Sequence, residues 1–218
     1  GGTLEDLLYA KAFNNRENYA ALIFKQIVSA VGFCHDAGIA HRDLKPSNIL
    51  IAGPNVVKVA DFGFCQYVTK SLMTTFCGSP YYSAPECINQ VGYDGRQSDL
   101  WSLGVILFQM VTGSNPWDIK NMSKALTQIR GAKYTIPSRT TPEATDLIRS
   151  LLRISPNSRI NCNKILNHHW FNILGRNNQR HRQTDPEVHS LKSIVDGIQR
   201  PTSPKGSVIV SPLLDLPG

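Results

Sequence analysis

The sequence predicts a mainly α-helical domain: a helical bundle packed around one buried central helix, with a small β-hairpin set into it. Three stretches carry that reading. From Ser98 to Val111 the chain is apolar almost all round, as a helix enclosed by others must be. Between Glu17 and Ala37, Leu22, Ile23, Ile27, Val28 and Val31 recur at helical spacing, which predicts a long amphipathic helix with one face on a core. The apolar runs Ile49-Leu50-Ile51 and Val56-Val57-Lys58-Val59 are joined by Ala52-Gly53-Pro54-Asn55, turn punctuation that predicts a hairpin.

The remaining elements follow in order. Gly1 to Leu8 reads as a loop entering a helix, with Thr3 as N-cap and Asp6 in the first turn. Gly38 ends the long helix as its C′ residue, and His35 just inside that end complements the helix dipole or packs. Asn115-Pro116-Trp117 closes the central helix, and Met122 to Arg130 forms another. Thr141-Pro142-Glu143 opens the next, with Thr as cap, Pro at the first position and an acid in the first turn; Leu147, Ile148, Leu151 and Leu152 form its apolar face. His168 and His169 are adjacent on a predicted helix and so point apart, which speaks against a metal site. From Asn172 apolar periodicity fades, and residues 172–218 read as a largely disordered basic tail with a short helix near Val188 to Ile198.

Composition narrows the function classes. With 218 residues and 41% hydrophobic residues the chain can bury a sizeable core. A net charge of +7 admits an acidic partner, yet no dense Lys/Arg run appears and aromatics do not interleave with basic residues, which argues against nucleic acid. The five cysteines, Cys34, Cys65, Cys77, Cys87 and Cys162, are odd in number and lack CxxC spacing. They read as reduced thiols of an intracellular, cytoplasmic protein. Leu100 to Val111, interrupted by Ser102 and Gln109, falls short of the roughly 18 apolar residues of a membrane span. The chain begins Gly-Gly rather than Met, and its start reads as a cut.

The chemistry lies between Ala40 and Gly63, where Asp43, Lys45, Asn48 and Asp61 stand at fixed intervals. A hairpin returns Asp61 beside Asn48, and two oxygen donors meeting at one point suit Mg²⁺. His41-Arg42-Asp43-Leu44-Lys45-Pro46-Ser47-Asn48 resembles the catalytic loop of protein kinases. Asp61-Phe62-Gly63 resembles their metal-binding DFG, and Ala84-Pro85-Glu86 their APE. The three motifs occur in kinase order and spacing, so residues 1–171 are identified as a member of that family: the helical C-lobe of a kinase domain with the N-lobe absent.

The resemblance implies ATP-dependent phosphorylation of protein serine or threonine, with Mg²⁺ as cofactor. Asp43 is then the catalytic base, Lys45 neutralises the γ-phosphate, and Asn48 and Asp61 hold the metal. Leu50, with Ile49, lies under the adenine, and Ser79 bridges the catalytic Asp and Lys. Met73 to Pro80 resembles the activation loop of the calcium/calmodulin-dependent and AMP-activated kinase group. Thr75 matches its phosphorylated position, Arg42 the phosphate latch, and an upstream activating kinase is implied. Asp99 matches the aspartate that holds the catalytic-loop backbone, Arg159 the arginine that pairs with Glu86, and His41 and Phe62 the packed spine. Three positions depart from relatives: Thr3 and Ser47 replace acidic residues that read a substrate arginine, and Gln66 replaces a basic latch partner. The G-x-G-x-x-G cover, the β3 lysine and the αC glutamate do not occur here, so the 218 residues alone are expected to be inactive. Two other readings stand beside this one: an N-lobe-less binding or scaffolding module, and a small-molecule phosphotransferase of kinase-like fold.

Overall fold

The computed structural model describes residues 2–68, 72–75 and 78–177; Cys77, the tail beyond 177 and the helix expected near Val188 to Ile198 lie outside the described residues. In chain order the helices are α1 (Leu4–Tyr9), α2 (Glu17–Asp36), α3 (Pro85–Ile88), α4 (Gly95–Thr112), α5 (Met122–Arg130), α6 (Pro142–Leu151), α7 (Cys162–Leu166) and α8 (Ile173–Asn177). Four short strands, β1 (Ile39–Ala40), β2 (Ile49–Gly53), β3 (Val56–Val59) and β4 (Gln66–Tyr67), fall between α2 and α3, and Pro46–Asn48, Pro80–Tyr82, Pro156–Ser158 and His169–Asn172 are 3₁₀ turns.

The apolar stretch predicted as a central helix is α4, which packs against both α2 and α6. It begins three residues earlier than its apolar pattern, because Asp94 caps it by accepting from Arg96 N. Trp101, Leu103, Ile106, Leu107 and Phe108 are buried among their neighbours. α6 lies close against it at Gly104, where a Cβ would stand 2.8 Å from Leu152 Cδ2 and 2.9 Å from Leu151 Cβ. The amphipathic α2 buries Ile23, Phe24, Ile27, Val28 and Val31, then ends at C-cap Ala37, with Gly38 following at φ +74°.

The predicted hairpin is β2 and β3, antiparallel, with Ile49 opposite Val59 and Ile51 opposite Val57. Gln26 of α2 ties it down: Nε2 donates to Asn55 O (2.7 Å) and Oε1 accepts from Val57 N (3.3 Å). Periodicity gave no hint of the second pair, in which β1 and β4 lie antiparallel with Ala40 opposite Gln66. Two-residue strands are too short to show alternation. At the chain start Thr3 and Asp6 form a reciprocal capping box, and Gly2 O accepts from Ile51 N, joining the first loop to the hairpin edge.

The region expected to be tail starts with packed structure. Ile173 and Leu174 of α8 rest against the core, so the fold continues past Phe171 because apolar residues remain there to be covered. The 3₁₀ turn before it replaces the predicted helix, since His168 caps rather than continues, its side chain accepting from Trp170 N.

Arg159 joins distant segments. Its guanidinium makes a bidentate pair with Glu86 (2.6 and 2.7 Å), also donates to Gln97 O and Arg153 O, and lies 5.1 Å from the Trp101 ring centre. Arg159 is 6% exposed and Glu86 9%, so removing one partner strands a buried charge. Arg159→Ala is expected to lose about 3–5 kcal/mol, read as a fall in melting temperature. Gly104→Ala should lose stability too: overpacking costs about 1–3 kcal/mol against a helix-propensity gain of about 1 kcal/mol. A rise in melting temperature for Gly104→Ala would contradict the close helix contact.

Candidate active site

The site is built outward from α4. Asp99, 1% exposed in its first turns, directs its carboxylate at the chain after β1. Oδ2 accepts from His41 N (2.8 Å) and meets His35 Nε2 (2.9 Å), while Oδ1 accepts from Arg42 N (2.8 Å). These bonds hold Arg42 at φ +70°, a left-handed conformation costly for a side chain of this size. His35, predicted as a dipole or packing residue, is therefore the third partner of that carboxylate. His41 accepts from Asp43 N at Nδ1 (3.3 Å), so its Nε2 carries the proton donated to Ala60 O (3.0 Å). Its ring lies 4.8 Å from that of Phe62.

Asp43, 4% exposed, is surrounded by donors. Lys45 Nζ (2.7 Å) and Asn48 Nδ2 (3.1 Å) donate to Oδ2; Ser79 N (3.1 Å) and Ser79 Oγ (3.2 Å) donate to Oδ1. Lys45 Nζ also reaches Ser79 Oγ at 3.1 Å. Three residues singled out in separate motifs, Asp43, Lys45 and Ser79, thus meet in one group. Gly78 makes the approach feasible: at φ +83° it presses so close that a Cβ would lie 2.6 Å from Arg42 O.

Asn48 spends its amide nitrogen on Asp43 O (2.8 Å) and Oδ2, which turns the amide oxygen to the other side. Ala60 N donates to Asn48 O (2.9 Å), so the hairpin does return the chain beside Asn48. Asp61 follows at φ +63°, its carboxylate exposed and accepting only a 3.3 Å bond from Gly63 N among the described contacts. An amide oxygen and an exposed carboxylate are the donor chemistry a hard divalent cation takes. Leu50, half-buried on β2, lies opposite Lys58 and is bridged to Thr3.

Around the rim, Arg42 reaches Gln66 Oε1, Thr75 O (3.1 Å) and Tyr93 Oη (3.3 Å). Thr75 itself is exposed. Sequence reasoning missed Tyr93, and it missed the anchors of the 3₁₀ turn after Ser79. There Trp117 Nε1 donates to Tyr81 O (2.8 Å), Ser102 Oγ to Tyr82 O (2.8 Å), and Gln109 Nε2 to Tyr82 Oη (3.0 Å). Burial raises the Tyr82 phenol above its ordinary range. The polar residues Ser102 and Gln109 inside an apolar helix were the available signal. The four described cysteines are free, and burial pushes Cys87 up to about 11 and Cys162 up to about 12, far from thiolate chemistry.

Residues 1–171 match the family model described as protein kinase domain. A probable serine/threonine-protein kinase of Dictyostelium discoideum is 36% identical over 197 residues, covering 90% of this chain and 23% of the relative. The probable serine/threonine-protein kinase HSL1 of Saccharomyces cerevisiae is 42% identical over 170 residues, covering 77% of this chain and 11% of its own length. The chain thus spans less than a quarter of either relative.

The histidine pair needs correction. His168 and His169 do not point apart: their rings stack with centres 4.2 Å apart, and with Asp146 they form a three-residue group. The reason is that His168 stands before the 3₁₀ turn as its cap. A metal at His168 Nε2 would require a proton on Nδ1, which instead accepts from Trp170 N (3.2 Å), while Nε2 faces Asp146 Oδ2 (3.1 Å). Burial holds the His168 pKa below the ordinary histidine value, Asp146 pulls it back up, and His169 lowers it again. The unfolded chain therefore takes up the proton more readily, and stability is lost as pH falls below about 6.5. The melting temperature should drop between about pH 7 and pH 5, and His168→Asn, which can still cap the turn, should show a shallower drop. Equal slopes for the two proteins would refute the assignment.

Proposed function

The chain belongs to the protein kinase family, and on that premise we propose that it is the helical lobe of an ATP-dependent protein serine/threonine kinase. The observation that carries this reading is the grouping of Asp43, Lys45, Asn48 and Ser79. A carboxylate held by a cation, an amide and a hydroxyl is arranged to take one proton while charge moves beside it. Asp43 orients a substrate hydroxyl and accepts its proton as that oxygen bonds to the γ-phosphorus and the bond to the departing ADP oxygen breaks. Lys45 neutralises the charge that develops on the transferring group. The Ser79 hydroxyl, between Asp43 and Lys45, fixes the opening through which a serine or threonine side chain reaches them.

Asn48 and Asp61 would hold Mg²⁺ bound to ATP, and Leu50 would lie against the adenine. The cation supplies charge neutralisation for the phosphates when bound. Thr3 spends its hydroxyl on the Asp6 capping pair, and with Ser47 it leaves two acidic substrate-reading positions neutral, which supports a substrate chosen without strong preference for arginine. Thr75 is the phosphorylation site on this reading, with Arg42 within reach of it. No G-x-G-x-x-G sequence occurs in the 218 residues, so the half of the site that grips ATP is assigned to chain beyond them. A purely scaffolding module has no use for the Asp43 grouping. The experiment is γ-phosphate transfer to a serine-containing protein mixture by the complete protein and its Asp43→Asn variant. Transfer should fall by roughly 10²–10⁴-fold in the variant, with circular dichroism showing that the variant is still folded. Equal activity in the two proteins would end this reading.

A further inference from the structure

The Arg42 guanidinium is already engaged by neutral groups from three separate segments. Its NH1 donates to Gln66 Oε1 on β4, and its NH2 donates to Thr75 O (3.1 Å) and Tyr93 Oη (3.3 Å). Tyr93 in turn donates its hydroxyl to Thr75 O (2.9 Å). Its backbone makes a two-bond bridge with Met73, Met73 N to Tyr93 O and Tyr93 N to Met73 O, each 2.9 Å. Tyr93 is 4% exposed, so its ring is fixed by packing before its hydroxyl is used. Gln66 is placed by the β1–β4 pair, which sets it opposite Ala40, two residues before Arg42.

The geometry points to Gln66 and Tyr93 as positioning residues that dock the Met73–Thr75 segment on Arg42 without any phosphate. The consequence for phosphoryl transfer rests on the function proposed above; the docking itself does not. The chemistry at position 66 decides the point. A lysine or arginine there would repel Arg42 until an anion arrived between them, so a segment with two cations needs its phosphate to settle. A glutamine offers a carbonyl oxygen to the same guanidinium and removes the repulsion. The Nε–H of Arg42 is buried without a partner among the described residues. A phosphate on Thr75 would compete with Gln66 for the guanidinium. Modification of Thr75 would then re-partner a segment already in place.

The test is hydrogen exchange on the complete protein, freed of phosphate, read at the amides of Met73 and Tyr93. Both should be protected in the unmodified chain, and Thr75→Ala, which keeps the carbonyl, should leave protection within about two-fold. Tyr93→Phe and Gln66→Ala should each speed exchange by about ten-fold or more, the loss of a bond to a charged group. Gln66 is exposed, so its variants leave the core intact, and Gln66→Glu should restore protection. Gln66→Lys should lose it and regain it only when phosphothreonine is installed at position 75, a reversal that a packing defect would not show. The proposal is overturned if the unmodified chain is unprotected until Thr75 carries phosphate, or if the Gln66 and Tyr93 variants exchange like the parent. Because exchange needs neither ATP nor substrate, a failed transfer assay with protection intact would sink the proposed activity and leave the docking standing.

Discussion

The buried carboxylate of Asp99 is the constraint on which the rest depends. A charge at 1% exposure is tolerated only when its lone pairs are taken up, and here two backbone amides and one histidine take them. The same bonds do a second job: they fix the backbone at His41 and Arg42 in a conformation the chain would not choose, with Arg42 in the left-handed region. That reversal sends the Arg42 side chain towards β4 and the Met73–Thr75 segment, and the Asp43 side chain towards Lys45 and Ser79. The buried helix α4 thus supplies the carboxylate that orients the loop after β1.

The segment facing that loop is secured from several sides by different forces. The Arg159–Glu86 pair, with carbonyl bonds and the Trp101 face, locks α3 to the turn before α7. Ser102 and Gln109 reach out of α4 to hold the turn at Pro80–Tyr82. Gly78 lets the backbone just before that turn lie directly on Arg42 and Asp43. Packing, hydrogen bonding and close backbone approach converge on Ser79, which explains how a half-buried serine keeps both a carboxylate and an ammonium in range. Met73 and Tyr93 repeat the arrangement at the other side of Arg42, with neutral acceptors in place of charge.

Some of this was legible beforehand. The periodicity of α2, the all-round apolar character of α4, the caps at Thr3 and Thr141 and the hairpin turn are local properties, written in neighbouring residues, and each element appears where that pattern put it. Starts and ends shifted where a side chain outside the pattern decided them: Asp94 advanced α4 by three residues, and His168 turned an expected helix into a capped 3₁₀ turn. The stacking of His168 on His169 followed from that cap, and spacing along an assumed helix could not foresee it.

By itself the sequence determined which residue types were available and in what order: an aspartate, lysine and asparagine within six positions, a second aspartate after a hairpin, and a serine beyond. Motif order supplied the family because those spacings recur only where the chemistry needs them. Tertiary structure alone decided which of these groups touch, since Lys45 with Ser79, Glu86 with Arg159 and Arg42 with Tyr93 are separated by 34, 73 and 51 positions. Nothing in a local pattern encodes such a distance. It is set by how α4 packs between α2 and α6.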